Sequence, residues 1–236
     1  MSLEPAHCLN LENSIGRNQV IVQSSAGITL VGGGPVSKAG LARARAFAPR
    51  LVAADGGADR LIRLGVEPEA VIGDFDSITA ATQSRLAGRL FPIREQETTD
   101  FDKALRSISA PFVLGLGFAG ARLDHGLAVL TTLARYPERR CLILGPADVT
   151  FLAPPELTLR LPVGSRISLY PLAPVTGQST GLRWEIDGLA FAPDGMIGTS
   201  NEVAAPTVTM HFDAPKMLVI LPLRSLRAAL TGLGVA

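Results

Sequence analysis

Residues 51–77 read LVAADGGADRLIRLGVEPEAVIGDFDS, and their pattern decides the fold. Two apolar runs, 51–54 and 70–72, each lead into an aspartate beside glycine, at Asp55 and at Gly73-Asp74. Between them the stretch ADRLIRLG places apolar residues at helical spacing. Strand, helix and strand joined by short links make a βαβ unit, whose two strands run parallel. The same rhythm continues outward. Upstream stand ITLVGGG at 28–34 and an Ala-rich segment through Phe47; downstream come RLFPI at 89–93, a helix from near Thr99, FVLGLG at 112–117, a helix over 127–135 and CLILG at 141–145. The expected fold of this half is a Rossmann-like α/β domain with a mostly parallel sheet and helices on both faces.

After Pro146 the texture changes. VTFLAP, LTLRLP, RISLYPL, LRWEI, VTMHF and MLVILPL follow one another with Pro and Gly between them, and no helical pattern separates them before Pro222. This half is expected to be an all-β sandwich or barrel. The expected organisation is an N-terminal extension of unclear role at 1–26, an α/β domain at 27–147, and a β-sandwich domain at 148–236. With 47% hydrophobic and 18% charged residues, the chain has the composition of a packed globular protein and not of a disordered one. Lys and Arg number 22 against 21 Asp and Glu, so no basic field is present to hold a nucleic-acid backbone. Cys8 and Cys141 stand isolated, which suggests neither a disulfide framework nor a zinc site and fits a reducing cytoplasm. The polar start carries no signal-peptide pattern, and every apolar run is too short to span a bilayer.

In open α/β sheets, ligands lie beyond the carboxyl ends of the strands, so the residues just after each apolar run carry the chemistry. Gly33, in the triplet 32–34, offers backbone amides to an anion or simply makes a turn. Asp55 and Gly56 open the next link, where Asp55 is either a helix N-cap or a functional acid. Asp74 and Asp76, two apart in GDFDS, share one ion only if the loop curls, which Gly73 permits. Hard carboxylate oxygens of this kind suit Mg²⁺ held jointly with substrate phosphates. In QETTDFDK, Thr99 is the expected N-cap, Asp102 falls where a capping box places its acid, and Asp100 and Lys103 share a helix face as an ion pair or as a metal ligand beside a phosphate-binding ammonium. Arg122, Asp124 and His125 follow a glycine loop, where Arg122 presents a planar fork of donors to phosphate.

DGG, GDFDS, QETTDFDKAL, GFAGARLDH and GTSNE, taken in order and at these spacings, resemble the thiamine pyrophosphokinase family over roughly residues 30 to 220. The resemblance implies transfer of the diphosphate of ATP to the hydroxyethyl group of thiamine, giving thiamine diphosphate and AMP. It implies that Asp74, Asp76 and Asp100 hold Mg²⁺ with Asp55 beside them, and that Gln96 and Lys103 contact the nucleotide. Arg122, Asp124 and His125 complete the phosphate side; Trp184, Ser200, Asn201 and Glu202 contribute to a thiamine pocket between the subunits of a homodimer. Asp100 is also a candidate for accepting the alcohol proton. Trp184 has a plainer reading as a core residue of the β half. Three positions depart from the family pattern: Ala121 for a glycine, Val203 for an aromatic, and Tyr170 within an aliphatic strand. Two rival functions share parts of this machinery, a pyrophosphokinase acting on a hydroxymethyl pterin and a noncatalytic nucleotide-sensing module.

Overall fold

The structure is a computed structural model that describes residues 19–120 and 122–235; Cys8, Ala121 and the first eighteen residues of the expected extension lie outside it. In chain order the elements are β1 (Val22–Gln23), β2 (Ile28–Val31), α1 (Lys38–Arg45), β3 (Arg50–Ala54), α2 (Gly57–Arg63), β4 (Ala70–Gly73), α3 (Ala80–Arg85), β5 (Leu90–Pro92), α4 (Asp100–Arg106), β6 (Ile108–Ser109), β7 (Val113–Leu116), α5 (Leu123–Arg135) and β8 (Cys141–Leu144). There follow β9 (Asp148–Leu152), β10 (Glu156–Arg160), β11 (Arg166–Pro171), β12 (Val175–Thr180), β13 (Ala190–Phe191), β14 (Gly198–Glu202), β15 (Thr207–Phe212), β16 (Met217–Pro222) and α6 (Leu226–Gly232).

The alternating half forms parallel strands in the order β5-β4-β3-β2-β7-β8. The chain therefore winds outward from β2 to β5, then crosses to the other side of β2 and continues outward. The reversal lies between β2 and β7, the place where such sheets leave a crevice at their carboxyl ends. The central strand β2 is fully buried on both faces, at 0% exposure for Ile28, Thr29, Leu30 and Val31. The one polar member of that strand, Thr29, donates its hydroxyl to the Ala48 carbonyl at 2.7 Å, so no polar atom is left unpaired there. Helices α1 and α2 pack on one face through Leu41, Ala44, Ala58 and Leu61; α4 and α5 pack on the other through Phe101, Ala104, Leu105, Val129 and Leu133.

The sheet does not stop where the α/β rhythm stops. A tight turn at Gly145 returns the chain, β9 pairs antiparallel with β8, and β16, β11 and β14 extend the same sheet to ten strands. A second sheet, β10-β15-β12-β13, covers this antiparallel half. Its strands β10 and β15 alternate buried and exposed residues, as one-sided strands do. Leu157, Leu159, Val208, Met210 and Phe212 share one apolar core with Val149, Phe151, Ile167, Leu169 and Val219 of the large sheet. The described part of the N-terminal segment docks as β1 beside β6 in a separate parallel pair.

One local expectation is corrected, and one strand goes beyond those expected. LRWEI is not a strand: Leu182 makes only an isolated bridge to Val203, and the segment bends after Gly181, whose φ of +95° breaks an extended run. Conversely VTGQST, polar enough to read as a loop, is strand β12, because β15 supplies its partners over 177–180. The cap at Thr99 is as expected, with its side chain accepting from the Asp102 amide. Thr99→Ala is expected to lower stability by about 1 kcal/mol, read as a shifted denaturant midpoint at unchanged m-value.

Candidate functional site

Five strand-to-helix links meet at the carboxyl ends of the parallel strands. The amide of Gly34 donates to the Gly117 carbonyl at 3.0 Å, and a β-carbon on Gly34 would lie 2.5 Å from that oxygen, so only glycine lets these two links touch. Gly33 is different, because a β-carbon there meets nothing nearer than Gly56, at 3.9 Å. Packing thus accounts for the neighbouring glycine and leaves Gly33 facing open space, with its carbonyl held by Arg60 Nε at 2.8 Å. Gly73 gives the closest approach of all to the acids: a β-carbon on it would stand 2.9 Å from Cβ of Asp55 and 3.2 Å from an oxygen of Asp100.

Around Gly73 the acids gather. Asp55, Asp74 and Asp76 each place a carboxylate oxygen within 4.8 Å of the others. Asp55 is no N-cap, since the cap of α2 is Gly56 without a side-chain bond. Its Oδ2 accepts from the Ser77 amide at 3.2 Å, while its Oδ1 is buried with no hydrogen-bond partner. Burial, together with the charge of Asp100, raises its carboxyl above the ordinary range against the bonds from Ser77 and Gly56. Asp100 is raised as well, chiefly by burial, with Asp74 and Asp76 adding to it and Lys103 opposing. Asp74 is lowered, because the hydrogen bond and charge of Lys103 outweigh its partial burial. The backbone is bent to make this cluster: Asp55 has φ +41° and Phe75 φ +70°, and among the described non-glycine residues only Ser200, at +61°, shares that region. All three belong to motifs singled out from the sequence, as expected where strain is held at working sites.

Lys103 supplies the one ammonium of the cluster. It is 1% exposed and donates to Asp74 Oδ2 at 2.8 Å and Asp100 Oδ1 at 3.3 Å. Burial alone would lower its pKa, but the bond to Asp74 and the charge of Asp100 raise it, so it stays charged. These bonds use two of the three N–H donors of its ammonium. Gln96 Nε2 also reaches Asp74, at 3.3 Å. Asp102 does not behave as a capping-box acid: its carboxylate is 1% exposed and turns away, toward Arg106, Arg135 and Tyr136. Arg122 and Asp124 pair with each other at 2.6 Å on the exposed start of α5, where His125 is also exposed. Sequence reasoning missed Asp59, whose carboxylate takes both the amide and hydroxyl of Thr79 and so pins the end of the GDFDS loop; nothing in its helical context distinguishes it.

The remaining candidates lie elsewhere. Trp184 is 56% exposed and is not a core residue. Asn201, buried, clamps it by accepting from the Trp184 amide at 3.2 Å and donating to its carbonyl at 2.7 Å. Arg183 stacks over the indole at 4.9 Å and pairs with Glu202 at 3.5 Å. Ser200 donates its amide to the Ser168 hydroxyl at 3.0 Å. Ser200, Asn201 and Glu202 sit on β14, the outer edge of the large sheet, seven strand positions from β3, which carries Asp55. At about 4.8 Å per strand this is roughly 30 Å, beyond the reach of one small molecule.

Two family models match the chain: "Thiamin pyrophosphokinase, catalytic domain" over residues 43–144 and "Thiamin pyrophosphokinase, vitamin B1 binding domain" over 156–217. Thiamine pyrophosphokinase 1 of Oryza sativa subsp. japonica is 28% identical over 210 residues, covering 71% of this chain and 80% of that protein. Thiamine pyrophosphokinase 1 of Arabidopsis thaliana is 27% identical over 202 residues, covering 71% and 76%. The solved structure of thiamin pyrophosphokinase from Candida albicans superposes with a TM-score of 0.71 over 87% of this chain and 96% of that one; at 14% identity this is a likeness of fold.

Proposed function

The chain belongs to the thiamin pyrophosphokinase family, and on that premise we propose that it moves the terminal diphosphate of ATP onto the hydroxyethyl oxygen of thiamine, releasing AMP. The observation that carries this reading is the cluster of Asp55, Asp74 and Asp76, joined through Lys103 to Asp100, with Asp55 Oδ1 left unpartnered. Four carboxylates facing one cation hold a surplus of negative charge, which a divalent cation relieves. The donor set fits Mg²⁺: Asp74 and Asp76 would hold it as expected, with Asp55, whose carboxylate oxygen lies within 4.8 Å of theirs, in the place the resemblance gives to Asp100, which stands alongside. When bound, the ion supplies charge neutralisation for the phosphate oxygens.

The chain's own residues do the rest. Lys103 fixes Asp74 and Asp100 in place and neutralises part of their charge. The glycine links at Gly33 and Gly56, where backbone comes close to an anion, and the fork of Arg122 once it is released from Asp124, bind phosphate oxygens and hold the chain in line for attack on the β-phosphorus. Asp100, whose carboxylate burial makes a stronger base, accepts the proton of the alcohol. The reversal of strand order beside Gly33 supports a Rossmann-like reading of the nucleotide half.

Trp184, exposed and clamped by Asn201, offers an aromatic face to the cationic thiazolium. Its separation from the acids supports a homodimer in which the 184–202 surface of one subunit completes the site of the other. The same placement supports a division into a nucleotide half and a thiamine half at about residue 147. A cytoplasmic location suits the isolated cysteines, of which Cys141 is buried; among the described residues no helix is long and apolar enough to cross a membrane.

The test is AMP formation by the purified chain with ATP and Mg²⁺, with thiamine, with a hydroxymethyl pterin, or with no acceptor. AMP and thiamine diphosphate are expected together and only with thiamine. AMP with the pterin alone would replace the acceptor, and ATP binding without turnover under any condition would leave a nucleotide sensor.

A further inference from the structure

Helix α4 is held by charge on two sides, and only one side is the acid cluster. Lys103 turns toward Asp74 and Asp100. Its neighbour Asp102, on the other side, accepts from Arg106 Nη1 at 3.1 Å, from the Tyr136 hydroxyl at 3.0 Å and from the Arg135 guanidinium. Arg106, with a side chain only 11% exposed, also donates Nη2 to Glu95 at 2.9 Å and Nη1 to the Thr98 hydroxyl at 2.9 Å. Glu95 ends the chain of contacts. It accepts from the amides of Glu97 at 2.8 Å and Thr98 at 3.1 Å, and from the Thr98 hydroxyl. The 95–98 turn is thus wound around one carboxylate, and that carboxylate is clamped to the last turn of α4.

Burying ions costs more than packing apolar side chains of the same size, so adhesion between α4 and α5 alone does not call for this arrangement. A guanidinium fork, however, fixes direction and register as an apolar contact does not. What is fixed matters to the site: Gln96 reaches Asp74 from this turn, and the chain then passes through the Thr99 cap into Asp100. The bonds from Thr98 and Arg106 outweigh the burial that would raise the Glu95 carboxyl, which lies at about 2, so the clamp stays charged at every working pH.

We propose that Glu95, Arg106 and Asp102 are positioning residues for diphosphate transfer, holding the 95–98 turn so that Gln96 meets the nucleotide and Asp100 keeps its place in the acid cluster. The proposal rests on the nucleotide-site reading above.

The experiment compares wild type, Arg106→Met, Glu95→Gln and the double variant by calorimetric binding of a nonhydrolysable ATP analogue with Mg²⁺ and by steady-state kinetics. Arg106→Met keeps the apolar stem and removes the fork. It is expected to weaken analogue binding and lower kcat by about 10- to 100-fold, with the thiamine KM within about twofold of wild type. Glu95→Gln, which keeps an acceptor for the two amides, is expected to lose less. The double variant is expected to be no worse than Arg106→Met, because both act through one clamp. Unchanged analogue binding and kcat in folded Arg106→Met would overturn the proposal, as would additive losses or a loss that merely tracks the folded fraction. If Arg106→Met does not fold, Glu95→Gln and Thr98→Val decide by the same readouts. Wild type that binds the analogue without making AMP would sink the transferase reading instead, and analogue binding would still decide the clamp.

Discussion

Asp55→Asn is expected to cut turnover by on the order of 10²- to 10³-fold while making the folded protein more stable. The two effects share one cause. Asp55 is 3% exposed, one of its oxygens has no partner, and burial with the nearby Asp100 charge raises its carboxyl. A raised carboxyl means the ionised form is disfavoured in the folded state, so folding is weakened above the folded pKa and the penalty is relieved as pH falls through it toward the unfolded value. Asparagine keeps an acceptor for the Ser77 amide, tolerates the φ of +41°, and carries no charge. It also gives up a ligand oxygen. Thermal melts and AMP release, measured side by side at neutral pH, check both halves. A variant that is less stable and inactive would make Asp55 a structural acid, and one that is fully active would remove it from the site.

The second large effect follows from the proposed homodimer. Asp76→Asn and Trp184→Ala are each expected to be nearly inactive at low thiamine, and an equal mixture that has exchanged subunits is expected to recover about a quarter of wild-type activity. Half of the dimers in such a mixture pair one variant with the other, and in each of these one of the two sites is intact. Both residues suit the purpose because neither holds the fold: Asp76 is exposed and bonded to Ser77, and Trp184 is more than half exposed. If each site lay within one chain, no mixture would contain an intact site and no activity would return. Size measurement before and after mixing separates failed exchange from failed complementation.

Much of this was legible from local pattern. The strand-to-helix rhythm of the first half, the acids at the ends of 51–54 and 70–72, and the Thr99 cap depend on residues within a turn or two of one another, and periodicity records such relations directly. The GTSNE motif was legible as a motif, although its placement on an edge strand was not.

What only the tertiary structure decided are the pairings between distant residues. Asp102 has the spacing of a capping-box acid, yet α5 brings Arg135 and Tyr136 to it from more than thirty positions away. LRWEI alternates like a strand and VTGQST does not, but a strand exists only where a neighbour completes its ladder, and β15 completes the second. The texture change near Pro146 signals a new kind of structure, while the ladder between β8 and β9 carries one sheet across it. Periodicity and capping are short-range and written in neighbouring residues; ladders, buried ion pairs and the distance from Trp184 to Asp55 are set by which segments the core brings together, so they appear only when the chain is packed.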